Sequence, residues 1–306
     1  MAEPFHIPVM VSEIMKYMNV GKNGLYFDCT LGGGGHTQEI LKRGGDVIAV
    51  DRDVNAVQYA EARLSEYEGR FKARLAKFST ILEVAGENTG LVDGVLMDLG
   101  VSSRMIDDPS RGFSYVSDGP LNMNMEGGGL TAFDVVNTFD AQELSRIFKE
   151  YGEERFSRRI ANNIIKSRSS HPIDSTNKLA DIVEASVGGK MPQKSKARIF
   201  QSLRIYVNDE IGELKAGLDA ALEILNDGGR LCVISYHSLE DRIVKRFMKS
   251  NADPCICPTD LPVCSCGLSP KLKLITGKVV RPSEEEMKSN SRSRSALLRV
   301  AEKIEG

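Results

Sequence analysis

The sequence predicts an α/β fold: a parallel sheet covered by helices on both faces, interrupted by a helical insertion. Three observations predict it. Short apolar runs alternate strictly with amphipathic stretches over residues 24–99. Three of those runs end in or near acids, at Asp28, Asp51 and Asp98. The alternation then stops near residue 104, gives way to helical spacing, and returns with an apolar run near residue 230. The expected division is a sheet domain at 1–104 and 197–306 and a helical insertion at 105–196.

The elements follow in order. Gly24–Thr30 reads as the first strand, followed by a glycine loop, Gly32–Gly35. A helix begins near His36 and ends at Gly44 and Gly45. Asp46–Asp51 is a buried strand. Val54–Tyr67 has helical spacing, with Val54, Val57, Ala60 and Leu64 on one face. Phe71–Ala76 is a weaker strand and Val92–Leu99 a fourth. Beyond a glycine- and proline-punctuated loop (107–129), Ala141–Lys149 and Glu153–Ser167 are the clearest helices of the insertion. Ala197–Leu225 reads as one long helix or two joined ones. The turn Asp227-Gly228-Gly229 precedes a fifth strand, Arg230–Ser235. Leu239–Lys249 is a helix with Ser238 as its expected N-cap. Ser295–Val300 is a final strand candidate.

Composition restricts the function classes. A chain of 306 residues exceeds one simple core and suits a large domain with an insertion. No apolar run approaches the ~20 residues that span a bilayer. Residues 1–10 lack the basic and apolar regions of a signal peptide, so a cytoplasmic location is expected. The net charge of −2 gives no argument for nucleic acid, which must come from where the charge sits.

A glycine-rich turn after the first strand lets a ligand approach the backbone. The dinucleotide fingerprint needs a third glycine where this chain has Thr37 or Gln38, so a nicotinamide or flavin cofactor is disfavoured. Asp51 closes the second strand, where a carboxylate can accept hydrogen bonds from both ribose hydroxyls. A nucleoside cofactor without a pyrophosphate fits this pair of features. Asp98 stands at the carboxyl end of the fourth strand, where ligands of open α/β sheets sit; a helix-capping or solvated acid is the alternative.

These residues belong to longer motifs. Thr30-Leu31-Gly32-Gly33-Gly34-Gly35-His36, Asp51-Arg52-Asp53 and Met97-Asp98-Leu99-Gly100-Val101-Ser102-Ser103 resemble the MraW (RsmH) family. So do Arg111-Gly112-Phe113-Ser114, Tyr151-Gly152-Glu153-Glu154-Arg155-Phe156, Phe200-Gln201-Ser202-Leu203-Arg204-Ile205, and the run from Ser235 to Lys245. The stretch from Arg294 to Glu302 fits as well. The resemblance spans residues 6–303. It implies a Rossmann-like, S-adenosylmethionine-dependent methyltransferase that methylates N4 of a cytidine in the decoding region of small-subunit (16S) ribosomal RNA. Carried over by position, Gly34, Gly35, His36, Asp51, Phe78 and Asp98 are the expected cofactor contacts. The implied partners are ribosomal RNA and the small subunit, with a monomer or homodimer and no membrane.

The chain departs from the family at four positions, one of which, Glu126, keeps its acid. The usual Pro-Leu-Asp-Met-Arg-Met-Asp reads Pro120-Leu121-Asn122-Met123-Asn124-Met125-Glu126, and Met105 stands at a glutamine position. These changes remove an acid, a cation and a hydrogen-bonding amide.

For the chemistry, an acceptor at the cytosine amine favours a nucleophilic nitrogen and later takes its proton. Asp98 is the first candidate, with backbone carbonyls near Gly100 as alternatives. His237, at the end of the fifth strand, either orients the base or accepts a proton, or else caps the next helix. A paired base would have to be flipped out. Three basic clusters suit phosphates or a solvated face: Arg155, Arg158, Arg159 and Lys166; Lys190, Lys194, Lys196, Arg198 and Arg204; and Arg242, Lys245, Arg246 and Lys249. No metal ligand is assigned to the site. Cys255, Cys257, Cys264 and Cys266 leave open a zinc site, free thiols or an oxidisable loop, while Cys29 and Cys232 read as inert core. Two other readings stay in view: a methyltransferase for another nucleobase or a protein amine, and a non-catalytic ribosome-assembly factor.

Overall fold

The computed structural model describes residues 8–189, 191–258 and 265–305. The chain divides into two compact units, one of residues 1–100 and 213–306, the other of residues 101–212. The sheet unit begins with α1 (Val11–Met18), β1 (Leu25–Asp28), α2 (Gly35–Lys42), β2 (Asp46–Asp51), α3 (Val54–Arg63), β3 (Phe71–Leu75), α4 (Ile81–Ala85) and β4 (Val92–Asp98). The helical unit contributes α5 (Ser103–Asp107), α6 (Ala132–Thr138), α7 (Ala141–Glu150), α8 (Ser157–Arg168), α9 (Thr176–Val187) and α10 (Pro192–Val207). After α11 (Glu210–Ile224) the sheet unit continues with β5 (Leu225–Ser235), α12 (Ser238–Ala252), β6 (Leu272–Leu274), α13 (Glu284–Ser289) and β7 (Leu297–Lys303).

The seven strands are ordered β3-β2-β1-β4-β5-β7-β6. The first five are parallel, whereas β7 runs antiparallel between β5 and β6. The sheet is therefore mixed, a Rossmann-like α/β arrangement with one reversed strand, rather than the wholly parallel sheet expected from the alternation. Its strands feed two cores through the period-2 alternation of side chains. Phe27, Ile48, Val50, Val95, Met97, Leu231 and Val233 pack on one face with Leu214, Leu218 and Ile224 of α11 and Val244 of α12. Tyr26, Val47, Ala49, Leu96, Cys232 and Ile234 pack on the other with Ile14 of α1, Ile40 of α2 and Ala60 of α3. Burial on both faces explains why these strands read as continuous apolar runs. Cys29 and Cys232 are both buried in this packing, and burial pushes the Cys232 thiol up to about 12.

Several boundaries differ from the sequence reading for local reasons. The long helical stretch is two helices, since Asp209 adopts a left-handed φ of 45° between α10 and α11. Residues 197–212, which the sequence reading places with the sheet, cluster with the helices, because Ile199, Phe200 and Leu203 pack among Leu144, Phe148 and Ile164. Helix α8 starts at Ser157 rather than Glu153, whose φ of 50° is not helical. The Asp227-Gly228-Gly229 turn lies inside β5, where the pairing with β4 shifts register between Val92 and Gly94.

The departures at Asn124, Asn122 and Met105 have identifiable contacts within the helical unit. Asn124 is buried, and its amide is fully used. Nδ2 donates to the carbonyls of Gly128 and Leu130, while Oδ1 accepts from the amides of Glu126 and Gly127. Asn122 Oδ1 accepts from the Asn124 amide. Met105 is buried in the apolar core of the helices. Asn208, not singled out in the sequence, ties the same loop down: Oδ1 accepts from the Met125 amide and Nδ2 donates to the Met123 carbonyl.

Candidate active site

The site is built where the strand order reverses. The chain leaves β1 toward β2 and β3 on one side and returns through β4 and β5 on the other, so the carboxyl ends of β1 and β4 border the crevice that such sheets offer to ligands. Register sharpens this. Asp28, the last residue of β1, pairs with Ala49 of β2 and Leu96 of β4, so both neighbours run two residues further. Those extra residues end in Asp51 and Asp98. With strands spaced about 4.8 Å apart, the two acids stand on strands roughly 10 Å apart, across the shortened β1.

The glycine loop leaves β1 between these acids and touches both. Gly32 donates its amide to Asp51 Oδ2 at 2.8 Å, and Asp53 donates its amide to Oδ1 at 2.9 Å. At the other end of the loop, His36 Nδ1 lies 3.9 Å from Asp98 Oδ2. His36 Nε2 is 2.8 Å from the Val9 carbonyl, which can only accept, so Nε2 carries a proton and the Nδ1 edge faces Asp98. The loop needs its glycines. Gly34 has a φ of 73° at the N-cap of α2, and a Cβ there would sit 3.0 Å from Leu64 Cδ1. At Gly35 a Cβ would meet Pro8 Cγ at 2.8 Å. Arg63 braces the loop from behind, donating to the Gly33 carbonyl at 2.6 Å and to Gln38 Oε1 at 2.7 Å.

Beneath the loop, Asp28 is buried and accepts from the Thr30 amide and the Thr37 hydroxyl. The Thr30 hydroxyl in turn accepts from the Asp98 amide at 2.8 Å. Asp98 Oδ1 also accepts from the Tyr236 hydroxyl at 2.7 Å. Sequence reasoning named Tyr236 only as part of a motif. The pairing of Asp98 with Ile234 places the next residues of that chain beside the acid, and this register was not readable before β4 and β5 were aligned. Gly100, with a φ of 109°, passes close over the Tyr236 ring, where a Cβ would lie 3.4 Å from it.

Burial raises the proton affinity of both acids. Desolvation pushes Asp51 up to about 6 against its two backbone hydrogen bonds, and the negative charges of Asp53 and Asp28 add to the rise. Desolvation likewise pushes Asp98 up to about 6, opposed by His36 and by the Tyr236 hydrogen bond. Burial, then the neighbouring Asp98, raises Tyr236 well above the usual phenol range. The crevice thus gathers half-buried Asp51 and Asp98 above the buried Asp28. It favours a ligand that brings positive charge or hydroxyl donors and disfavours a pyrophosphate.

The other two expected residues are placed differently. His237 is the N-cap of α12 in place of the expected Ser238. Its Nδ1 accepts from the Glu240 amide at 3.3 Å, and Glu240 reciprocates to the amides of Tyr236 and His237. Its Nε2 lies 3.0 Å from the Glu240 carboxylate. Among the described residues no hydrogen bond or ion pair joins His237 to Asp98. Phe78 is half-buried against the face of the sheet that carries α11, where a Cβ on Gly217 would approach Phe78 Cβ to 2.7 Å.

The basic clusters divide. In the helical unit, an open groove of about 640 Å³ is lined by Lys149, Arg155, Arg158, Arg159, Glu154 and Phe156, among others. The guanidinium groups of Arg155 and Arg159 lie 4.6 and 5.2 Å from the Phe156 ring centre. Lys196 instead pairs with Glu184, and Arg204 makes two hydrogen bonds to Glu210, so the basic run on α10 is partly neutralised. Lys190 lies outside the described residues. On α12, Arg242, Lys245, Arg246 and Lys249 are exposed.

The family model and the sequence relatives agree with the motifs. The model of the MraW methylase family matches residues 3–304. A ribosomal RNA small subunit methyltransferase H of Carboxydothermus hydrogenoformans is 48% identical over 98% of this chain and 98% of its own length. One of the same name from Clostridioides difficile is 46% identical over 98% of this chain and 99% of its own. Among solved structures, an rRNA methylase of Streptococcus thermophilus matches 98% of this chain with a TM-score of 0.44 and 10% identity.

Proposed function

This chain belongs to the MraW methylase family, and on that premise we propose that it methylates N4 of a cytidine in the decoding region of 16S ribosomal RNA. The methyl donor is S-adenosylmethionine, whose sulfonium supplies an electrophilic methyl group. The observation that carries the reading is the convergence of the glycine loop on Asp51 and Asp98 at the sheet's switch point. The donor set fits this cofactor, since two partly exposed carboxylates with raised proton affinity suit a cationic nucleoside.

Each residue has a role in this reading. Asp51, fixed by the Gly32 and Asp53 amides, accepts from ribose hydroxyls. Gly34 and Gly35 let the backbone come close, and His36 holds the far end of the loop against Asp98. Phe78 offers an aromatic face for adenine. Asp98, fixed by Tyr236, accepts a hydrogen bond from the cytosine amine and then its proton. A group that titrates near 6 is suited to accept a proton near neutral pH. His237 orients the base from the head of α12 while its ring serves as the cap. The helical unit binds RNA, and its Arg155–Arg159 groove neutralises phosphates.

The test is direct. Small subunits from cells lacking this methylation are incubated with the chain and methyl-labelled S-adenosylmethionine, then digested and mapped by mass spectrometry. Label in N4-methylcytidine of the decoding region is the expected result. Label on another base or on protein would overturn the assignment.

A further inference from the structure

The segment between α12 and β6 carries three cysteines among its described residues, Cys255, Cys257 and Cys266. The described residues 253–258 and 265–271 form no helix or strand. Among its described residues, the large apolar side chains of Ile256 and Leu268 are exposed. Its ends are pinned, with the Lys271 amide donating to the Asn251 carbonyl at 2.8 Å. Within it, three thiols converge: the sulfurs of Cys255, Cys257 and Cys266 all lie within 4.8 Å of one another.

We propose that Cys255, Cys257 and Cys266 hold a structural zinc ion that staples this segment. Tetrahedral zinc with Zn–S bonds of ~2.3 Å sets its sulfurs ~3.8 Å apart, so the three thiols need to close by only about 1 Å to share an ion. The Ser265 amide donates to Cys257 Sγ at 3.4 Å, the kind of backbone N–H to sulfur bond that orients a coordinating thiolate. Three soft sulfur donors select zinc over magnesium or calcium. One vertex of the tetrahedron remains for a fourth donor; Cys264 stands two residues before Cys266 in the sequence and lies outside the described residues. The site is remote from the crevice along α12, whose 15 residues separate its ends by about 22 Å. The ion's role is therefore to hold the connection that delivers edge strand β6 to β7.

The full chain, purified without a histidine tag under reducing conditions, is assayed for metal by plasma mass spectrometry. About one zinc per chain is the expected content, with loss of most of it in each of Cys255→Ser, Cys257→Ser and Cys266→Ser. In case a variant misfolds, the wild-type chain is stripped of metal and titrated with Co²⁺. Thiolate-to-cobalt charge-transfer absorption saturating at one equivalent supports the site. Negligible zinc together with no such absorption overturns it. So does a disulfide among these cysteines found by mass spectrometry in the protein as isolated under reducing conditions.

Discussion

Asp98→Asn separates what the acid does for function from what it costs the fold. A carboxyl raised from 3.8 to about 6 by burial is destabilising when ionised, by about 3 kcal/mol in the ligand-free protein. Between those two values the folded state binds more protons than the unfolded state. Stability contributed by the raised group is therefore full at low pH and is lost as pH rises toward 6. Asparagine removes the charge and keeps the contacts: its Oδ1 accepts from the Tyr236 hydroxyl, and its amide faces the His36 Nδ1 edge. Urea unfolding of ligand-free protein at pH 7.5 should show the variant more stable by up to ~3 kcal/mol, falling to about half that at pH 5. Methyl transfer by the same variant should be abolished. A variant less stable than wild type at pH 7.5, or a difference that does not change with pH, would refute the reasoning that Asp98 is held ionised at a cost.

Other outcomes follow from the same geometry. Gly34→Ala forces a left-handed backbone on a residue with a Cβ and presses on Leu64, so stability should fall by about 1–2 kcal/mol by denaturant midpoint, with weaker cofactor binding. His237→Ala should cost about 1 kcal/mol through the lost cap, whereas His237→Asn should restore stability. If His237→Asn also restores turnover, the base-orienting role assigned to His237 is wrong. Because Asp51 and Asp98 both titrate near 6, affinity for the cationic cofactor should fall as pH drops below about 6, measured by titration at pH 7.5 and 5.5.

Much of the site was readable because it is local in sequence. A strand ending in an acid, a glycine loop and a helix start form one continuous segment, and β2 and β4 end in their own acids. The alternation of Tyr26 and Phe27, or of Leu96 and Met97, into two different cores is likewise a property of consecutive residues. What was hidden depended on pairing between distant segments. Tyr236 reaches Asp98 only through the β4–β5 register, and the reversed direction of β7 leaves no mark on its composition. The cap of α12 fell one residue early because His237, a rarer capping residue than serine, accepts through its ring nitrogen. Asn122 and Asn124 read as losses of charge, and only the folded loop shows that Asn124 satisfies four backbone groups.

The most direct measurement is calorimetric titration of S-adenosylmethionine into wild-type protein and Asp51→Ala. One cofactor per chain is expected for wild type, with affinity reduced roughly 10- to 100-fold in the variant, the equivalent of losing hydrogen bonds to a charged acceptor. Equal affinity for the two proteins would mean that the cofactor sits somewhere other than the crevice between β2 and β4.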